Sequence, residues 1–167
     1  MGFDFDNIAN KILNNEYKPL GRGSGRKVYD LGNGYVVKVA INKSGIAQNE
    51  VEYTIALNSK TNIFAKVISA SENFKYAIME KAEPAQRMRI VWEHFGVRSN
   101  RELYQMRAIR DILSKYSLKA ADFGRASNWG IIDNTPVIID YGFTYTVFKR
   151  YYFIKRIISM VCLGYFL

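Results

Sequence analysis

The chain has 167 residues, 49% of them hydrophobic, so it can bury a core as one domain or as two small lobes around a cleft. Its formal net charge of +9 favours an acidic or phosphorylated partner, but the basic residues are scattered and no long basic run marks a nucleic-acid-binding arm. We therefore expect nucleotide phosphates or a negatively charged protein as partners, and no nucleic acid.

The chain contains one cysteine and one histidine, and this limits its chemistry. Cys162 alone cannot form an intrachain disulfide or a cysteine zinc site, and His94 alone weakens a histidine-metal or Ser-His-Asp reading. The N-terminus lacks the basic and apolar regions of a signal peptide, and the uncharged apolar run 157–167 is too short to span a bilayer. We expect a cytoplasmic, soluble protein with no membrane span.

The first half of the chain predicts a β-rich unit with one long helix. Short runs rich in β-branched and aromatic residues alternate with Gly, Pro and Asn turn signals, which is typical of antiparallel strands. In chain order the predicted elements are a short helix capped by Asp6, strands at Val28-Tyr29 and 35–41 around a turn at 32–34, a helix at 44–59, and strands at 64–70 and 76–81.

A glycine-rich turn precedes the first strand pair, with Gly21, Gly23 and Gly25 at alternate positions. Glycines so placed let backbone N–H groups approach phosphate oxygens without interference from a Cβ atom. A flexible turn that binds no ligand has the same composition, so this feature alone does not indicate a function.

Lys38 lies inside the apolar strand VVKVA, where an ammonium needs a partner or must extend to the surface. Two glutamates on the predicted helix, Glu50 and Glu52, are candidate partners. We favour Glu52 because Ile55 and Ala56 follow it at +3 and +4, but Glu50 stays open. Either glutamate could also be an ordinary solvated charge on the helix surface.

The composition changes from a β-rich unit, 1–82, to a mainly helical unit, 83–167. Within the second unit, 99–116 has the clearest helical pattern, and Ser99 with Glu102 forms a capping box at its start. We assign this helix no chemistry, because an apolar stripe is usually part of a core.

The segment 120–144 contains two acids and an amide around a predicted hairpin with its turn at 133–136. This hairpin would bring Asp122, Asn128 and Asp140 together at one end. Two carboxylates and an amide suit a divalent metal that carries a nucleotide phosphate. Solvated acids at the ends of an ordinary hairpin would give the same pattern. The aromatic and basic remainder of the chain is expected to pack on the second unit or against a partner.

The order of these parts resembles the protein-kinase fold: a glycine-rich turn, a strand lysine, a helix glutamate, a connector, a capped helix, and then Asp…Asn…Asp-x-Gly. The resemblance covers roughly 20–144. It implies an α+β, bilobal fold with an antiparallel β-rich N-lobe and a truncated, mainly helical C-lobe. Gly21, Gly23 and Val28 match the glycine-rich pattern, whereas Arg26 stands where its third glycine belongs.

A literal Asp-Phe-Gly string begins at Asp122, and Arg110-Asp111 precedes it like a catalytic-loop pair. Only 11 positions separate Asp111 from Asp122, too few for the loop and hairpin that a kinase has between its two aspartates. Asp122 and Asp140 are 18 positions apart and enclose the predicted hairpin. The resemblance therefore assigns the catalytic base to Asp122 and the metal-binding acid to Asp140, in Asp140-Tyr141-Gly142.

The resemblance implies that ATP and Mg²⁺ bind in the cleft. Lys38 would contact the α and β phosphates, Asn128 and Asp140 would bind Mg²⁺, and Asp122 would deprotonate the acceptor hydroxyl. The implied nucleotide contacts are Gly21, Gly23, Gly25, Val28, Lys38, Glu52 or Glu50, and Glu80, the last within a hinge at 78–80 that contacts adenine through its backbone.

Three departures from the kinase pattern keep several functions open. Ala120-Ala121 replace the usual His-Arg, and Asn128 follows Asp122 at +6 instead of +5. Only 25 residues follow Gly142, which is too few for the large helical lobe of a kinase. The first hypothesis is a minimal protein kinase, of the compact kind seen among bacterial, phage and effector proteins, that transfers the γ-phosphate of ATP to a protein hydroxyl. The alternatives are a pseudokinase-like module that binds a nucleotide or a partner without transfer, and a small-molecule kinase.

Overall fold

The computed structural model describes residues 2–153 and has an α+β fold with antiparallel sheets, as the sequence predicts. The helices are α1 (Phe5–Leu13), α2 (Lys43–Asn58), α3 (Met88–Phe95), α4 (Asn100–Gln105), α5 (Arg107–Lys115), α6 (Ala120–Phe123) and α7 (Tyr145–Phe148), with a 3-10 turn at Ala126–Asn128 and a π-helical turn at Lys149–Phe153. The strands are β1 (Pro19–Arg22), β2 (Arg26–Asp30), β3 (Tyr35–Ala40), β4 (Val67–Ala70), β5 (Tyr76–Glu80), β6 (Glu83–Pro84), β7 (Trp129–Ile132) and β8 (Thr135–Ile138).

Five strands form one sheet in the order β1-β2-β3-β5-β4, and each neighbouring pair is antiparallel. Side chains alternate between the two faces of central β3. Val37 and Val39 point to the face where α1 packs through Ile8. Val36 joins the core on the opposite face, with Ile55 of α2. Lys38 has the same parity as Val36, so the pleat directs its ammonium toward α2.

The start of α2 lies unusually close to the glycine-rich turn. The side chain of Asn42 caps this helix by accepting a hydrogen bond from the Gly45 N–H at 3.0 Å. A Cβ atom on Gly45 would lie 2.0 Å from the carbonyl oxygen of Gly25, so only glycine allows this approach. The first turn of α2 is therefore fixed against the end of the glycine-rich turn.

The second sheet contains the predicted hairpin, with β7 paired to β6 and to β8. Its turn is shorter than the predicted 133–136, because Asp133 and Asn134 both have positive φ, 48° and 62°, and form a two-residue turn. Thr135 and Pro136 belong to β8, and Pro136 is tolerated there because β8 is an edge strand.

The single helix predicted for 99–116 is wrong. It is two helices, α4 and α5, separated at Met106, whose ψ of 129° is not helical. A continuous helix would place Leu103 and Ile109 about 120° apart around its axis, and the break allows both to be fully buried. The capping residue Ser99 is confirmed, since its hydroxyl accepts from the Glu102 N–H at 3.2 Å.

Other differences from the sequence predictions lie near the ends of elements. Asp4, not Asp6, caps α1, because its carboxylate accepts from the Asn7 N–H at 2.9 Å. Helix α3 was not predicted, although Met88, Val91 and Phe95 have helical spacing and pack in the core. The C-terminal segment packs on the protein through Val147. Its predicted course beyond residue 153 lies outside the described residues. Among the residues that the structure describes, no helix is long and apolar enough to cross a membrane.

Candidate active site

A cavity of about 630 Å³ lies between the five-stranded sheet and the loops around the hairpin. Its apolar part is formed by Leu20, Val28, Val36, Met79, Ala82 and Ile139. Its polar part includes Lys38, Asp122, Arg125, Asn128 and Asp140. The cavity therefore combines an apolar part with a charged part, which is typical of a site for a ligand that has both kinds of group.

Lys38 pairs with Glu52 as the sequence favours. Its Nζ atom lies 2.9 and 2.8 Å from the two carboxylate oxygens and also donates to the carbonyl oxygen of Ile139 at 2.5 Å. Burial lowers the pKa of Lys38 below its ordinary value, although Glu52 opposes this shift. The alternative prediction, that Glu50 is the partner, is wrong, because the Glu50 side chain is exposed on the surface of α2.

Glu52 also connects α2 to Asp140-Tyr141-Gly142. It is completely buried, and its Oε1 atom accepts from the N–H groups of Tyr141 and Gly142, both at 3.1 Å. Burial alone would raise the pKa of Glu52, but Arg26 and Lys38 outweigh it and hold the pKa at about 2. One ionised carboxylate therefore fixes both the strand lysine and the loop that carries Asp140.

Gly142 is required by this arrangement, because a Cβ atom there would lie 2.5 Å from the backbone oxygen of Gln48 on α2. We expect Gly142→Ala to lower the free energy of unfolding by about 1–3 kcal/mol, since backbone atoms cannot move aside as a flexible side chain can. Gly23→Ala is the matched control, because a Cβ there meets nothing within 4 Å. Urea unfolding of both variants checks this, and equal losses would show that the contact with Gln48 is unimportant.

The prediction that Asp122, Asn128 and Asp140 converge is confirmed, since all three line the cavity. The Asn128 side-chain amide donates to the carbonyl oxygen of Asp122 at 3.0 Å. Its backbone carbonyl accepts from the N–H of Ile139 at 2.8 Å, directly before Asp140. Burial raises the pKa of Asp122, although Arg125, 3.5 Å away, opposes the shift. The hairpin thus joins the three side chains into one polar wall.

Two of the three predicted turn glycines, Gly21 and Gly23, line the cavity. The prediction that Gly25 contacts the nucleotide is wrong. Gly25 is buried against α2, where a Cβ would lie 2.9 Å from Gln48 Nε2, so this glycine allows the turn to pack on the helix. The exposed tip of the turn is held from the other side, because the hydroxyl of Tyr152 lies 3.0 Å from that of Ser24.

The predicted hinge residue Glu80 also lines the cavity, but its backbone N–H already donates to the carbonyl oxygen of Lys66 at 2.9 Å. The next N–H, of Lys81, donates to the carbonyl oxygen of Gly34. Neither group is available to adenine without breaking a sheet contact. An adenine contact through the backbone of 78–80 therefore stays a prediction and cannot use the Glu80 N–H as it stands, whereas Glu80 does lie at the cavity.

Arg26 is the residue at this site whose role the sequence did not indicate. Its Nη1 atom lies 2.8 Å from Glu52 and its Nη2 atom lies 2.6 Å from Asp140, and its exposed fraction is 6%. The only signal was its position in the place of the third glycine. A buried arginine next to a strand with a buried lysine implies shared acidic partners, and that inference could have been drawn.

Two side chains at the cavity carry oxygen atoms of the kind that Mg²⁺ prefers. The Asp140 side chain is 47% exposed, and its carboxylate together with the amide oxygen of Asn128 offers two oxygen ligands. Within residues 2–153 no three His, Cys, Asp or Glu side chains are grouped as a metal site. Mg²⁺ usually needs only one or two protein carboxylates when phosphates and water complete its shell, so this set is sufficient.

The decoy pair Arg110-Asp111 lies away from the cavity. Both residues are exposed on α5, and Asp111 Oδ2 lies 3.7 Å from Nε of Arg107, one turn earlier. The position of this pair outside the cavity agrees with its rejection as a catalytic pair. A comparison of the chain with protein-family models found no match, and a comparison with curated proteins found no significant match.

Proposed function

We propose that the protein is an ATP- and Mg²⁺-dependent phosphotransferase with a compact, bilobal protein-kinase-like architecture, divided near residue 82. The observation that carries the proposal is that one cavity joins an apolar part to Lys38, Asp122, Asn128 and Asp140. Its acceptor is proposed to be a protein hydroxyl. The kinase-like order of chemical parts along the chain and the presence of these parts at one cavity support one another.

In the proposed mechanism, the apolar residues of the cavity hold the nucleotide base. Lys38, which lines the cavity, would contact the phosphates by giving up its present contact with the carbonyl oxygen of Ile139. Glu52 keeps the ammonium of Lys38 in place through two contacts of 2.9 and 2.8 Å. The turn at Gly21 and Gly23 would cover the phosphates, since no Cβ blocks a close approach of its backbone. The Gly23 N–H already donates to the carbonyl oxygen of Arg26 at 2.8 Å, so it would have to exchange that partner for a phosphate oxygen. Positioning of this kind supplies much of the acceleration in phosphoryl transfer.

Asp140 and Asn128 would hold Mg²⁺, which would neutralise phosphate charge at the transferred group. Asp122 would orient the acceptor hydroxyl and take its proton. Its burial suits this role, because a raised pKa makes a carboxylate a better base than a fully solvated one. Arg125 lies beside Asp122 on the same wall of the cavity, and its side chain is 66% exposed. It is therefore free enough to contact a negatively charged acceptor.

A second candidate function is a binding module that holds a nucleotide without transfer. The ion pair of 2.6 Å between Arg26 and Asp140 favours it, because a cation already occupies the carboxylate that the metal would need. A small-molecule kinase differs from the first proposal only in its acceptor, and the same experiment separates all three.

The experiment is incubation of the purified protein with γ-labelled ATP, Mg²⁺ and a cell lysate. Label in protein bands supports a protein kinase, and label in the small-molecule fraction supports a small-molecule kinase. Nucleotide binding without transfer supports the binding module. A folded protein that neither binds ATP nor transfers phosphate overturns the proposal.

Nucleotide binding has its own expected result. ATP with Mg²⁺ at 100 times its Kd should stabilise the protein by about 2.7 kcal/mol and raise Tm by roughly 5–10 °C. Lys38→Met should abolish most of this shift, because it removes the ammonium beside the phosphates. Lys66→Met is the matched control, since Lys66 is exposed outside the cavity and should keep the full shift. The shift, not the absolute Tm, is compared, because Lys38→Met also disturbs Glu52. Equal shifts in the two variants would contradict the role of Lys38.

A further inference from the structure

The two Nη atoms of Arg26 contact three protein side chains. Nη1 contacts Asn49 Oδ1 at 3.3 Å and Glu52 Oε2 at 2.8 Å. Nη2 contacts Glu52 Oε1 at 3.1 Å and Asp140 Oδ1 at 2.6 Å. Three of these contacts are hydrogen bonds, to Asn49 Oδ1, Glu52 Oε1 and Asp140 Oδ1, and the fourth is an ion pair between Nη1 and Glu52 Oε2. Both Nη atoms of Arg26 are therefore held by protein groups at the wall of the cavity.

Two cations and two anions contact one another around Glu52. Lys38 and Arg26 share the buried Glu52, and Arg26 also contacts the half-exposed Asp140. A divalent cation bound to Asp140 would stand within a few ångströms of the guanidinium and be repelled by it. It would also compete for Oδ1, one of the two oxygens that Asp140 can offer.

We propose that Arg26 is a positioning residue that holds Asp140 in the metal-free protein and competes with a divalent cation for its carboxylate. Metal binding to the protein alone is weak for this reason. It becomes favourable when a nucleotide adds the negative charge that compensates for the guanidinium, so metal and nucleotide bind together. The identification of Asp140 as the metal ligand rests on the proposed function, whereas the competition itself is testable without nucleotide.

The test is Mn²⁺ binding without nucleotide, measured from the electron paramagnetic resonance signal of free Mn²⁺. Arg26→Gln should bind Mn²⁺ at least about tenfold more tightly than the unmodified protein, because a neighbouring arginine changes the proton affinity of a carboxylate by about 10- to 1,000-fold. The gain should disappear in the double variant Arg26→Gln/Asp140→Asn. Arg89→Gln, which removes an exposed arginine of α3, is the control for net charge and should bind like the unmodified protein.

A folded Arg26→Gln protein with unchanged Mn²⁺ affinity overturns the inference, as does a gain that persists without the Asp140 carboxylate. If Arg26→Gln fails to fold, the guanidinium signals of ¹⁵N-arginine-labelled protein are followed instead during a Mg²⁺ titration. The Arg26 signal should move in the unmodified protein and stay fixed in Asp140→Asn, and equal behaviour in both overturns the inference. Neither measurement contains ATP, so a protein that binds no nucleotide can still pass. If the protein binds ATP and Mg²⁺ but Arg26→Gln leaves its Mn²⁺ affinity unchanged, this inference is refuted and the proposed function is not.

Discussion

We expect Asp122→Asn to lower the rate of phosphoryl transfer by about 10²- to 10⁴-fold, the usual contribution of a positioned general base. Asparagine keeps the size and the cavity contacts of the side chain but cannot accept a proton. Asp140→Asn should cause a loss at least as large, because an amide neutralises the only carboxylate proposed to hold Mg²⁺. The measurement is the rate of label transfer at saturating ATP and Mg²⁺.

Asp111→Asn is the matched control, since it makes the same chemical change at an exposed residue of α5 outside the cavity. A surface change of this kind should alter the transfer rate by no more than about twofold. Circular dichroism and thermal unfolding of the three variants exclude a simple loss of fold. Full transfer by folded Asp122→Asn would remove Asp122 from the role of base, and equal losses in all three would point to another cause.

The interpretation of α2 shows how far the sequence could determine the site. A lysine in an apolar strand demanded a buried acid, and this requirement led to Glu52, which lies one helical turn before the buried Ile55. The choice against Glu50 stayed open because the buried face of α2 is mostly polar: Ser44, Gln48, Asn49 and Glu52. Hydrophobic periodicity cannot mark a face that is buried by hydrogen bonds and ion pairs.

What the sequence could not indicate depends on contacts between distant parts of the chain. Arg26 meets Glu52 across 26 positions and Asp140 across 114, so no local pattern links them. Gly142 was placed in the metal-binding motif, but its packing reason, the backbone of Gln48, appears only in three dimensions. No proline or glycine lies at Met106 to indicate the helix break there. The break follows from the burial of Leu103 and Ile109 on neighbouring helices.

The largest effect on stability is expected at Glu52. Glu52→Gln should lower the free energy of unfolding by about 3–5 kcal/mol, because it leaves Arg26 and Lys38 buried without their shared anion. Glu50→Gln is the matched control: it is the same substitution two positions earlier on an exposed side chain, and it should stay within about 0.5 kcal/mol of the unmodified protein. Urea unfolding at neutral pH measures both.

The same residue predicts a pH dependence. The pKa of Glu52 is about 2 in the folded protein against an ordinary value of 4.5, so the folded state binds fewer protons than the unfolded chain between these values. Its contribution, about 3 kcal/mol, is present above pH 4.5 and is lost as the pH falls toward 2. Glu52→Gln should flatten this part of the stability curve, whereas Glu50→Gln should keep it. A Glu52→Gln curve as steep as that of the unmodified protein would show that other carboxylates cause the acid sensitivity and that Glu52 does not hold the two cations as the structure indicates.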